Sequence, residues 1–215
     1  MRLRIAGRSS AHFTRTARMF AHELGVEYEL VPVLDLMSQT VSDYLGNPAL
    51  RVPVLQTEAG PWFGALNVCR ELARLAPHRL AIVWPEHSTD PDGANAQELV
   101  LQGMATEVGM IMHGGRDAAT PPDLYADKNR RSLANSLAWL ETNLPGVLQR
   151  LPADRALSFL EVSAFCFLEH LEFREVLDTS EYVELRAFCR AFGERPSARA
   201  TAYRFDVCGA TKKLG

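Results

Sequence analysis

Nothing in this sequence pairs cysteines at metal-binding or redox spacing. Cys69, Cys166, Cys189 and Cys208 stand far apart, with no C-x-x-C among them, which excludes a zinc ribbon and a dithiol redox motif. Cys69, Cys166 and Cys189 fall within apolar helical patterns and read as reduced, buried thiols. No apolar run approaches the length needed to span a bilayer. The opening stretch MRLRIAGRSS has no apolar core of signal-peptide size, so the expected location is cytoplasmic. There is no excess of positive charge either. The formal net charge of −3 argues against nucleic acid or an anionic membrane as the main partner. Arg2, Arg4, Arg8, Arg15 and Arg18 are interleaved with strand and helix positions and read as a solvated face. No internal repeat or low-complexity segment is visible.

What is there is an ordinary globular chain. Its 215 residues, 47% hydrophobic and 23% charged, suffice for one large domain or two small ones. Leu3 and Ile5 alternate with polar residues in a short strand that stops at Gly7. Ser9 and Ser10 follow as helix N-cap candidates. Phe13, Ala17, Phe20, Ala21 and Leu24 then recur at helical spacing until Gly25, placed as a helix-ending glycine. Tyr28, Leu30 and Val31 form a second strand closed by Pro32. Strand, helix and strand at this length make a βαβ unit with parallel strands and a right-handed crossover. A polar connector through residues 39–46 reads as a short irregular helix around Asp43, Tyr44 and Leu45.

The stretch Asn47 to Ala76 organises the rest. Proline cannot donate to a ladder, so Pro53, directly before Val54-Leu55, marks a strand edge or sharp turn. The Val52-Pro53 bond is also of the type where cis is cheap, and a cis bond here leaves the backbone groups of Val52 free for an extended, peptide-like ligand. A strand pair, Val54 to Thr57 and Trp62-Phe63, turns at Ala59-Gly60. Gly64-Ala65-Leu66 then opens a helix carrying Val68, Cys69, Leu72 and Leu75. Free N–H groups at such a helix start, backed by the positive end of the dipole, receive a carboxylate. The sum is a thioredoxin-like α/β domain, βαβ followed by ββα, over residues 1–77.

Residues 78–93, with Pro85 and Pro91, read as a linker. The remainder, 94–215, reads as an all-helical domain. It has long patterns over residues 95–113 and 124–151 (with a possible kink at Pro145-Gly146), then a buried helix Val162 to Leu171 behind the capping box Ser158-Phe159-Leu160-Glu161. Gly103 and Gly109 each weaken the first of these by about 1 kcal/mol relative to alanine. Gly114-Gly115 end it, and Tyr182 to Phe192 and a turn over residues 197–205 close the chain.

The order N-P-x-x-x-V-P-V-L, turn, apolar step and helix resembles the glutathione S-transferases. So do a capping box opening a central buried helix and the closing run Leu185, Phe188, Phe192, Arg195-Pro196-Ser197. The resemblance implies a cytosolic-type transferase with glutathione as cosubstrate, a small hydrophobic electrophile bound between the two domains, and a homodimer with Trp62 near the subunit interface. It places Val52 and Pro53 against the cysteinyl backbone of glutathione and Gly64, Ala65 and Leu66 at its γ-glutamyl end, with Arg51 facing the glycyl carboxylate. Ser10 and Ser9 become the hydroxyls that favour the thiolate. Met104, Met110, Met112 and His113 are candidate lining for the electrophile, and His12 reads as a surface residue. The chain departs from the family where a Glu/Asp-Ser pair is usual, carrying Gly64-Ala65 instead, and has Ala11 where the serine of S-P-x-x-R would stand. Those departures keep a second reading open: a non-catalytic binding or interaction module on the same fold.

Overall fold

The structure, a computed structural model, describes residues 2–113 and 124–206. Packing divides it into two units. The first takes in the described residues up to Leu80 and those from Arg195 onward; the second is Ala81–Glu194.

In the first unit, β1 (Arg4–Gly7), α1 (His12–Glu23) and β2 (Glu29–Pro32) form the expected βαβ, with β1 and β2 parallel. A one-turn 3-10 helix, Val41–Tyr44, follows. β3 (Val54–Thr57) and β4 (Gly60–Phe63) then lead into α2 (Ala65–Leu75). The sheet order is β2-β1-β3-β4, and β3 runs antiparallel to both neighbours. Ala6, Val33, Tyr44 and Val54 form a buried cluster on one face. Ile5 and Leu55, also buried and one residue away along their strands, take the opposite face by the two-residue period of a strand. α1 packs against α2. The approach of α1 to β1 requires a glycine at position 7, where an added Cβ would fall 2.4 Å from Thr14 Cγ2.

Helix α1 is not capped as expected. Its N-cap is Ala11, and Ser9 and Ser10 lie in the turn before it. His12, expected at the surface, is 1% exposed, and its Nδ1 accepts the N–H of Phe13 at 2.8 Å.

The last described segment packs with this unit, unlike the expected split at residues 77 and 94. α7 (Pro196–Ala200) lies against α1. Arg195 donates through Nε and Nη2 to the two carboxylate oxygens of Glu23, at 2.8 and 2.9 Å, and the Ser197 hydroxyl donates to the same carboxylate. Burial pushes the Glu23 carboxyl up, but the bonds from Arg195 and Ser197 outweigh it and hold it below its ordinary range.

The second unit contains α3 (Pro91–His113), α4 (Leu124–Arg150), α5 (Phe159–Arg174) and α6 (Val183–Gly193). The expected linker is partly ordered into β5 (Ile82–Val83), which pairs in parallel with β6 (Leu157–Ser158). Two-residue strands are too short for alternation to announce them. α4 continues through Pro145. α5 is capped as expected, Ser158 Oγ accepting the Glu161 N–H at 2.9 Å. The Glu161 carboxylate pairs with Arg155, at 2.9 and 2.6 Å, rather than reaching back to the cap. α5 buries its whole circumference, from Phe159 through Leu171. Gly103 lets it approach α3, since an added Cβ would fall 2.5 Å from the Phe167 ring. Cys69 and Cys166 are buried free thiols, and Cys189 is half-buried. Cys208 and Gly114-Gly115 lie outside the described residues.

Candidate functional site

Three loops meet at one end of the four-stranded sheet, and strand register puts them there. β1 and β3 are antiparallel with Ala6 opposite Val54, so the exit from β1 lies beside the entry to β3. β3 and β4 are antiparallel with Val54 opposite Phe63, so the exit from β4 lies there too. Residues 8–11, 50–53 and 64–66 therefore share an edge.

The middle loop is held from within. The Asn47 side chain is buried; its Oδ1 accepts the Ala49 N–H at 3.0 Å and its Nδ2 donates to the Arg51 carbonyl at 2.8 Å. Asparagine folded back on its own backbone is a standard turn device, and here it delivers the chain to Val52 in a fixed direction. The Val52-Pro53 peptide bond is cis. Among the described residues, neither the N–H nor the C=O of Val52 takes part in a backbone hydrogen bond. Arg51 is exposed, and its Nη1 donates to the Leu50 carbonyl at 3.5 Å.

The third loop is tied to the second. Gly64 donates its N–H to the Pro53 carbonyl at 3.2 Å. It is the N-cap of α2, with φ 82° and ψ 146°, and no side chain caps the helix there. That backbone conformation is one that side-chain-bearing residues rarely adopt. The N–H groups of Ala65 and Leu66 thus open a helix without a protein acceptor among the described residues. Asn67 is committed elsewhere, its Nδ2 donating to the Phe63 carbonyl at 3.1 Å.

The first loop carries the two serines. Ser9 is fully buried and Ser10 is 5% exposed. The turn is closed by the Ala11 N–H on the Arg8 carbonyl, at 3.1 Å, and by the Arg8 N–H on Thr14 Oγ1, at 3.4 Å. The Ser9 hydroxyl has no hydrogen-bond partner among the described residues; a ligand or a water satisfies such a group. Its backbone N–H is bonded to Asp206 Oδ2 at 2.8 Å. No local pattern in the sequence points to Asp206, because its partner lies almost the whole chain away.

Residues 11–75 match the family model of the glutathione S-transferase N-terminal domain. Solved structures extend the likeness to nearly the entire chain. A glutathione S-transferase from Methylobacillus flagellatus KT with glutathione bound superposes with a TM-score of 0.74 at 19% identity, covering 94% of this chain and 100% of that one. The enzyme from Methylobacterium radiotolerans JCM 2831, in complex with glutathione sulfonate, gives 0.71 at 22% identity, with 97% and 98% covered. A Tau class transferase from mango gives 0.69 at 16%, with 94% and 93% covered. The fold is that of the glutathione S-transferases. No curated protein matches the chain.

The remaining expected residues of this fold fall as follows. Met104 is buried in α3, Met110 is half-buried and Met112 is 41% exposed; the side chain of His113 lies outside the described residues. Trp62, on edge strand β4, is 37% exposed. Among the described residues no helix is long and apolar enough to cross a membrane.

Proposed function

We propose that this chain binds glutathione at the shared edge of its four-stranded sheet and transfers the thiolate to small hydrophobic electrophiles. The observation that carries the reading is the backbone left open there: Val52, unpaired beside a cis-proline, and the uncapped start of α2, linked through the Gly64–Pro53 hydrogen bond. Val52 pairs with the peptide backbone of the cysteinyl residue as a strand would. Ala65 and Leu66 donate to the γ-glutamyl carboxylate, favoured by the dipole of α2. Arg51, exposed and without an acid partner among the described residues, meets the glycyl carboxylate. The proteins of Methylobacillus and Methylobacterium, which share this fold, hold glutathione and glutathione sulfonate.

In the chemistry so supported, the protein contributes position and proton affinity rather than a nucleophile. The start of α1 and a hydroxyl donor, Ser10 or Ser9, favour the thiolate of glutathione over its thiol. That thiolate forms the carbon–sulfur bond to the electrophile, expelling halide from an aryl halide, or adding to the β-carbon of an enal as its C=C π bond breaks and the α-carbon takes a proton from water. Ser10 is the better placed of the two, since Ser9 retains no exposure. We assign the working form as a cytoplasmic homodimer, with the exposed Trp62 of the edge strand at the subunit contact.

Gly64-Ala65 favours a second reading, a module of this fold without catalysis. A hydroxyl missing from position 65 forfeits a hydrogen bond to a charged group, about 1.5–3 kcal/mol, or about a ten- to hundredfold in affinity. The readings separate in two steps, calorimetric titration with reduced glutathione and then turnover with a panel of aryl halides and enals. Binding with conjugation supports the transferase; no detectable binding, or binding without conjugation of any of them, supports the module, which has lost tight glutathione binding.

A further inference from the structure

The last described segment follows α1 backward from end to start. Arg195 and Ser197 hold Glu23 at the final residue of α1. One helical stretch earlier, Arg15 Nη2 donates to the Ala198 carbonyl at 3.2 Å, and its guanidinium lies 4.2 Å over the ring of Tyr203. Before the helix begins, Asp206 Oδ2 accepts the N–H of Ser9 at 2.8 Å. Five residues of the tail thus meet α1 and the turn before it in reverse order, Arg195 and Ser197 at 23, Ala198 and Tyr203 at 15, and Asp206 at 9.

We propose that residues 195–206 form a strap that sets the thiol-activating turn, with Asp206 as its positioning residue; the claim rests on the transferase reading above. Ser9 is fully buried, so its N–H needs an acceptor. The ladder of β1 cannot supply one, because it ends at Gly7. A carboxylate supplies a charge-assisted bond, stronger than a neutral one. Ser10 then sits between two fixed neighbours, Ser9 held by Asp206 and Ala11 held by the Arg8 carbonyl. Fixing both sides limits where the Ser10 hydroxyl can go, and a thiolate is favoured only by a donor that stays aimed at it. The two anchors further along, Tyr203 on Arg15 and the Glu23 clamp, keep the tail in reach so that Asp206 is not lost to solvent.

The test uses the full chain with Asp206→Ala and Asp206→Asn, read in two ways. Amide exchange of Ser9, followed by NMR without glutathione, reports the strap alone. The pH midpoint of thiolate absorbance with glutathione bound reports its effect on the thiol. Asp206→Ala speeds Ser9 exchange about tenfold or more and raises the thiol midpoint by about one pH unit. Asp206→Asn keeps an acceptor oxygen, so exchange stays slow and the midpoint does not rise. Unchanged Ser9 exchange in Asp206→Ala overturns the strap. Faster exchange with an unmoved midpoint overturns the positioning role. A wild-type chain that binds no glutathione refutes the transferase reading on its own, and Ser9 exchange still decides whether the strap exists.

Discussion

At the scale of single residues, the candidate site is made mostly of backbone, and its two unusual side chains act by being small. Gly64 holds φ 82° at the start of α2, so Gly64→Ala places a Cβ in a conformation that costs about 1–2 kcal/mol. The expected outcome is a lower melting temperature, with nothing repaired at the site; an unchanged melting temperature would show that the turn relaxes freely. Ala65, by contrast, sits at an ordinary helical position. On the proposed placement of glutathione, Ala65→Ser adds a donor beside the γ-glutamyl carboxylate and is expected to tighten glutathione binding by about tenfold or more. Identical calorimetric affinities for the variant and the parent would remove the helix start from the ligand's path. Sequence alone singles out both positions, because proline and glycine punctuate the chain around the turn that forms there. It misplaced Ser9, Ser10 and His12 by one step of logic. Serine before an apolar helix reads as a cap, whereas here β1 runs on into a buried turn and leaves Ala11 as the cap.

At the scale of elements, two glycines in α3 look alike in the sequence and differ in what faces them. Gly109 has open space around it, while Gly103 receives the ring of Phe167. Gly109→Ala is expected to stabilise by about 0.5–1 kcal/mol through helix propensity. Gly103→Ala gains the same propensity but drives a methyl into an aromatic ring, and overpacking of this kind costs about 1–3 kcal/mol. Urea titrations of the two variants should therefore move in opposite directions, and a parallel shift would contradict the close approach of α3 and α5. The strands and helices of the first unit were legible because their apolar residues keep period two or near 3.6. The pairing of β5 with β6 was not, since two residues carry no period. Arg195 and Ser197 were visible as a pattern, but their partner, Glu23, was not. Only packing brings residues so distant in sequence together.

For the whole molecule, pH acts through buried carboxyls as well as through net charge. Glu107 and His170 meet inside the second unit, at 2.7 Å and almost without exposure. Burial raises the Glu107 carboxyl above its ordinary value, only partly offset by the His170 bond and charge. An acid whose folded-state value is raised contributes stability that is complete below the ordinary value and is lost as pH rises through the folded one. Glu107→Gln removes that term. The melting temperature of the variant relative to the parent should therefore improve as pH is raised through the mildly acidic range; a difference that stays flat with pH would contradict the assignment. The fold class was readable, because the βαβ and ββα succession and the helical half follow from patterning; the return of the segment from Arg195 onward to the first unit was not. The proposed ligand is less legible, because the groups assigned to it are mostly backbone and carry no letter in the sequence. The most direct measurement is calorimetric titration of the purified chain with reduced glutathione near neutral pH. Binding in the micromolar to low-millimolar range, abolished or weakened when Val52 and its proline are disrupted, is the predicted result. No heat, with a melting temperature unmoved by millimolar glutathione, would contradict it.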